Sequence, residues 1–178
     1  MPAELNAPGL VLPESLPVGF LGTLRQVCVV TDDYRRTIDR MRTVGLGPWS
    51  IYSFNPRTCT NLTYRGRPAD FSFKVCLADM SGLVWEVIQP ISGDNIYSDF
   101  LASKGEGVQH LLFDCNGLSW AEKTAALEAA GYACAQSGKW LDRLAFAYYA
   151  TEHAIGTVLE IVDRPPDWRR PEPEERIG

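Results

Sequence analysis

Four polar side chains stand where strand-like runs are otherwise built of Val, Leu, Ile and Cys: Gln26, Glu86, His110 and Glu160. The two glutamates lie in Gly82-Leu83-Val84-Trp85-Glu86-Val87-Ile88 and Gly156-Thr157-Val158-Leu159-Glu160-Ile161-Val162. A carboxylate in such apolar surroundings is costly unless it is paired, protonated or metal-bound. An amide oxygen, an imidazole and two carboxylates form a ligand set for a divalent metal, with room for water or substrate. No thiolate belongs to the set, which argues against a structural zinc site of the cysteine type. Taken singly, a strand histidine is ordinarily a hydrogen-bonded core residue and a strand glutamate ordinarily points to solvent. Coincidence of all four in one repeated frame is what favours a shared site.

The frame is a duplication. In both glutamate runs a glycine stands four residues before the glutamate, and a proline, Pro90 or Pro165, closes the segment. Self-similarity of this kind is the trace of a repeated supersecondary unit. A first strand spans Leu21 to Thr31, Asp32 or Asp33 offers a helix N-cap, and Tyr34, Ile38, Met41 and Val44 recur at helical spacing before Gly45. Strands follow around Ser50 to Phe54 and Phe71 to Leu77, separated by a turn-rich polar segment, Asn55 to Pro68. After the first glutamate strand comes a short helix, Tyr97 to Ser103.

The second half repeats the order: a strand from Val108 to Asp114, a capping box at Ser119 and Glu122, and an alanine-rich helix ending at Gly131. Strands near Tyr132 to Gln136 and Leu144 to Thr151 then lead to the second glutamate strand. Each half reads as βαβββ. Aligned on their helices, the halves set Gln26 opposite His110 and Glu86 opposite Glu160. Strand alternation puts Gln26 on one face with Cys28 and Val30, and Glu160 with Val158 and Val162, so all four polar residues look inward. The expected organisation is an extended arm over residues 1–19, a first module with linker helix over 20–104, a second module over 105–168 and a tail over 169–178. Periodicity is already lost from Arg164, and the end of the chain is expected to be exposed or loosely packed.

At 178 residues, 46% hydrophobic and 22% charged, the chain suits one compact domain. A net charge of -5 without a Lys/Arg cluster argues against nucleic acid or an anionic membrane as partner. The N-terminus has no signal-peptide or membrane-anchor pattern, so a cytoplasmic location is expected. Five cysteines without CxxC spacing fit buried reduced thiols better than disulfides, and the Asn61-Leu62-Thr63 sequon is read as chance.

The paired modules and the runs Leu24 to Asp33, Glu86 to Pro90, Gly105 to His110 and Gly156 to Glu160 resemble the vicinal oxygen chelate superfamily, nearest its glyoxalase I and methylmalonyl-CoA epimerase branch. The resemblance covers residues 21–168. It implies an α+β fold in which two βαβββ modules curl into a cup-shaped eight-stranded mixed sheet with helices packed outside, one metal ligand coming from the first and last strand of each module. Those positions match Gln26, Glu86, His110 and Glu160. Gln26 departs from the histidine usual in epimerase-like proteins and agrees with the glutamine of glyoxalase I. The implied metal is Zn, Ni, Co, Mn or Mg, the implied partner a small molecule with adjacent oxygens, and the implied assembly a homodimer. The implied chemistry is metal-dependent isomerase or lyase action by α-proton abstraction, with Glu160 as base and Glu86 as the opposed carboxylate.

Two other readings stay open. A non-catalytic protein of the same fold would sequester small molecules, but it has no need of two buried carboxylates. An extradiol dioxygenase needs two histidines and a carboxylate, and Gln26 removes one of them. Tyr148, Tyr149, Trp85 and Trp140 are candidates for an aromatic pocket, although strand aromatics ordinarily belong to the core. Arg57, Arg65 and Arg67 are candidates for meeting an anionic substrate, although loop charges are ordinarily solvated.

Overall fold

A computed structural model describes residues 15–178. Of the expected N-terminal arm, residues 1–14 lie outside the described residues. The elements in chain order are β1 (Leu24–Val30), α1 (Tyr34–Arg42), β2 (Trp49–Phe54), β3 (Cys59–Tyr64), β4 (Arg67–Pro68), β5 (Ser72–Met80), β6 (Leu83–Ser92), α2 (Ile96–Lys104), β7 (Gly107–Phe113), α3 (Trp120–Ala129), β8 (Cys134–Trp140), β9 (Leu144–Tyr149), α4 (Glu152–Ile155), β10 (Val158–Asp163) and β11 (Glu175–Ile177). The caps form as the sequence requires: the Asp33 carboxylate accepts from the Arg36 amide, and Ser119 and Glu122 close a capping box.

One eleven-stranded sheet runs β11-β2-β5-β6-β1-β7-β10-β9-β8-β3-β4. Its eight inner strands are the two βαβββ modules, joined through the antiparallel pair β1 and β7, while β6 and β10 flank that pair in parallel. The eight-strand expectation is therefore corrected to eleven. Each half sends an edge strand to the other. The β3–β4 ribbon leaves the first module and pairs with β8, and β11 returns from the C-terminus to pair with β2. Both exchanges cover backbone that would otherwise be an open sheet edge.

Sheet order also reveals curvature. Six strands separate β2 from β8, yet Phe54 stacks on Trp140 at 4.5 Å between ring centroids, and Tyr52 meets the same indole edge-on at 5.3 Å. The sheet closes to a deep cup. Its apolar strands bury both faces: Phe73, Val75 and Leu77 look inward, whereas Cys76 and Ala78 pack outward with Ile38 of α1. On the second module Leu127 of α3 covers Tyr149, Leu159 and Ile161. Helix α2 departs from the expected outer position, because Ile96 and Tyr97 belong to the inner cluster.

The C-terminal segment lies near the surface, with no buried residue after Ile161, but it is fixed and not loosely packed. Trp168 packs on Trp140, Arg170 pairs with Asp79, and Glu174 and Glu175 pair with Lys74 and Arg35 before β11 forms. Opposite it, Gly138 makes room for the Phe146 ring. A Cβ at Gly138 would lie 2.6 Å from Phe146 Cζ and 2.7 Å from Leu62 Cδ2. Gly138→Ala is expected to cost about 1–3 kcal/mol through overpacking, read as a fall of several degrees in Tm; an unchanged Tm would show that the ring yields freely.

Candidate metal centre and cavity

The four polar residues identified in the sequence converge on the concave face, and strand register explains how. One row across β6, β1, β7 and β10 carries Glu86, Cys28, His110 and Val158; the next carries Val84, Gln26, Leu112 and Glu160. A pseudo-twofold axis between β1 and β7 exchanges Gln26 with His110 and Glu86 with Glu160. The duplication therefore delivers two matched pairs to one centre. His110 Nε2 lies 2.9 Å from Glu86 Oε2 and 3.4 Å from Glu160 Oε2, and Gln26 Nε2 lies 3.3 Å from that same Glu160 oxygen.

All four side chains are buried, His110 completely. Burial by itself would keep the imidazole neutral, but the Glu160 and Glu86 carboxylates outweigh it and raise His110 to about 9. Glu160 is also raised, by burial first, with the Glu86 charge adding to it and His110 opposing. The chain thus holds an imidazolium between carboxylates, one of them a strengthened base.

The donor set fits a divalent cation. Around an ion with bonds of about 2.1 Å, adjacent donors of an octahedral shell lie about 3 Å apart. The separations from His110 Nε2 to Glu86 Oε2 and to Glu160 Oε2, 2.9 and 3.4 Å, match that spacing without rearrangement of the strands, whereas Gln26 presents its amide nitrogen and would turn its terminal amide over to offer the oxygen. A further contact orients the imidazole: His110 Nδ1 donates to Gln109 Oε1 at 2.6 Å and would keep that proton when Nε2, which faces the carboxylates, gives its own up to a cation. Simple alternation would send Gln109 to the opposite face. The register shift between Cys28↔His110 and Val29↔Val108 is a β-bulge, and it turns Gln109 onto the site. Gln109→Leu is expected to weaken metal affinity by about 10- to 100-fold in a calorimetric titration; unchanged affinity would remove the orienting role.

Cys28 stands beside the expected set and adds a sulfur to its surroundings. It sits between Glu86 and His110, and donor atoms of these three residues lie within 4.8 Å of one another. Burial, then the Glu86 charge, pushes its thiol well above the usual range, so it stays protonated in the metal-free chain. Among the described residues all five cysteines are free thiols.

Gln26, Glu86 and Glu160 open into a cavity of about 320 Å³. Six aromatic rings line it: Phe54, Phe73, Trp140, Phe146, Tyr148 and Trp168. Tyr148 stands opposite Glu160 in the β9–β10 pair, with its ring 4.9 Å from that of His110. Of the aromatic candidates from the sequence, Trp140 and Tyr148 line the cavity, whereas Trp85 packs in the cluster beneath α1 and Tyr149 in the cluster beneath α3. Arg57, Arg65 and Arg67 do not line it, and Arg65 instead pairs with Asp99. The arginines that do are Arg164, Arg169 and Arg170, which periodicity alone had assigned to an aperiodic end. Among the described residues no helix is long and apolar enough to cross a membrane.

Residues 25–146 match the profile of the glyoxalase/bleomycin resistance protein/dioxygenase superfamily. A hypothetical protein of Bacillus halodurans C-125 superposes with a TM-score of 0.59 at 12% identity, covering 83% of this chain and 98% of that one. Methylmalonyl-CoA epimerase from Mycobacterium tuberculosis superposes with a TM-score of 0.58 at 15% identity over 86% of this chain and 95% of that one. A point variant of the Streptomyces coelicolor epimerase, in complex with 2-nitronate-propionyl-CoA, gives 0.56 at 15% identity over 84% and 98%. At these identities the likeness is one of fold. Comparison with curated proteins returns no match.

Proposed function

Because the chain belongs to the glyoxalase/bleomycin resistance protein/dioxygenase superfamily, the vicinal oxygen chelate fold, we propose that it is a metal-dependent isomerase or lyase working by α-proton transfer on a small molecule with adjacent oxygens. Convergence of Gln26, Glu86, His110 and Glu160 on one buried face, with His110 Nε2 at ligand spacing from both carboxylates, carries this reading. These four residues would hold the cation, and which of Zn, Ni, Co, Mn or Mg it is depends on supply as well as donor type. A divalent ion there supplies Lewis acidity to a carbonyl and favours loss of the proton on the neighbouring carbon.

The chain does the rest. Glu160, held in a low-dielectric wall with its proton affinity raised, takes the α-proton onto a carboxylate oxygen. Glu86 stands in the symmetry-related place, so a proton removed on one face of the substrate can be returned from the other, which is epimerisation. With Glu160 alone acting, the proton goes back to a neighbouring carbon and the outcome is isomerisation. The aromatic wall excludes water from the charge that develops.

A sequestering protein of the same fold is the second reading, and one observation favours it: the cluster satisfies itself without a cation, as an imidazolium between two carboxylates with Gln26 donating to one. Reconstitution followed by proton NMR of α-oxygenated thioesters and hemithioacetals in deuterated water separates the two. Metal-dependent wash-in of deuterium at the α-carbon is expected. Ligand binding with no exchange under any of the five metals would favour the sequestering protein.

A further inference from the structure

Resting on that metal-site reading, we propose a substrate class: a compact aromatic molecule with its chelating oxygens at one end and a single anionic group at the other, rather than an acyl group on a large polyanionic carrier. Size and lining come first. An apolar cavity of about 150 Å³ accommodates a benzene ring, so about 320 Å³ accommodates one substituted ring or a fused pair. The rings of Phe54, Trp140 and Trp168 form a continuous wall, with centroid separations of 4.5 and 5.7 Å between successive members, which suits offset or edge-on contact with a flat ligand.

The anion is placed by Arg164. Along β10 and its extension, Val158, Glu160, Val162 and Arg164 alternate onto the concave side, and at about 3.3 Å per residue the Cα of Arg164 lies on the order of 13 Å beyond that of Glu160, its guanidinium near enough that the Glu160 charge is the first to act on it. Among the described residues Arg164 has no carboxylate within ion-pairing distance, whereas its neighbour Arg170 is held in a forked contact by Asp79 at 2.7 and 3.2 Å. An unpaired guanidinium at the rim of an apolar cavity recognises a carboxylate or a similar oxyanion. Of the other two lining arginines, Arg170 is committed to Asp79 and Arg169 donates to the Trp168 carbonyl at 2.9 Å, which leaves Arg164 to meet the anion. The outer lobe beside Gln26 sets Arg25, Lys123 and Arg164 against Asp79, Asp114 and Asp163, and Arg25 is already tied to Asp114 at 2.7 Å. That balance gives no excess of positive charge for a diphosphate carrier.

The test is a titration of the reconstituted protein with 4-carboxymandelate, mandelate, lactate and coenzyme A, followed by quenching of tryptophan fluorescence and by calorimetry, with metal content measured on the same samples. The expected order is 4-carboxymandelate at least tenfold tighter than mandelate, mandelate at least tenfold tighter than lactate, and no saturation by coenzyme A. In Arg164→Gln the first ratio is expected to collapse towards one. Equal affinities for the three acids, a ratio unaltered in Arg164→Gln, or coenzyme A binding tightest would overturn the substrate class. Metal at one per chain together with any of those results leaves the metal-site reading standing, whereas absence of metal removes that reading itself.

Discussion

Glu160→Gln is expected to lower α-proton exchange by about 10²- to 10⁴-fold, the usual contribution of a positioned general base, while the protein still folds and still takes up metal. The amide keeps the shape and one oxygen donor of the carboxylate but has no basic oxygen. Glu160 is the sharper target of the two carboxylates because burial strengthens it as a base and because it shares its oxygen with both His110 and Gln26. Glu86→Gln divides the mechanisms. If the opposed carboxylates work as a pair, it abolishes racemisation of a chiral substrate and leaves exchange of one enantiomer's α-proton; if Glu160 works alone, both rates fall together or neither does. Exchange in Glu160→Gln at the parent rate would make the base assignment wrong.

The second large effect is on metal affinity. Coordination requires a neutral imidazole, and in the metal-free chain His110 keeps its proton up to about 9. Below that value each bound cation must displace a proton, so apparent affinity is expected to rise about tenfold per pH unit from 7 until it levels near 9. Glu160, whose proton affinity is also raised, acts in the same direction. Calorimetry in buffers of different ionisation enthalpy reads the proton count directly, and His110→Ala is expected to lose measurable uptake. An affinity flat between pH 7 and 9 would mean that the cation displaces no proton from His110.

The candidate site was legible in the sequence because duplication wrote it twice. A polar residue in each opening strand and a glutamate in each closing strand are enough to propose one centre, and the register across β6, β1, β7 and β10 shows how alternation brings them to one face. What escaped notice depended on partners far along the chain. The β3–β4 ribbon is polar and partly exposed, and its partner β8 lies more than seventy residues away, so only turn signals remained visible in Asn55 to Pro68. Strand β11 was hidden in the same way among prolines and charges. Gln109 drew no attention in the sequence, because a bulge leaves no signature in a run such as Val108-Gln109-His110. Cys28 was read correctly as facing inward with Gln26, but its seat between Glu86 and His110 requires the pairing of three strands.

Arg164 teaches a similar lesson. Loss of periodicity after the last glutamate strand indicated an exposed or loosely packed tail; the segment is exposed along much of its length, yet Trp168 and Arg170 anchor it to Trp140 and Asp79 and make it one wall of the cavity. A segment without repeating apolar residues can still be fixed by a few strong contacts, and here those contacts sit at the rim of the site.

The central claim is that one divalent cation is held by Gln26, Glu86, His110 and Glu160. Elemental analysis of the purified chain after reconstitution and desalting tests it most directly, run beside His110→Ala. One metal per chain in the parent and none in the variant is the predicted result; parent protein without stoichiometric metal, or a variant that retains it, would contradict the account.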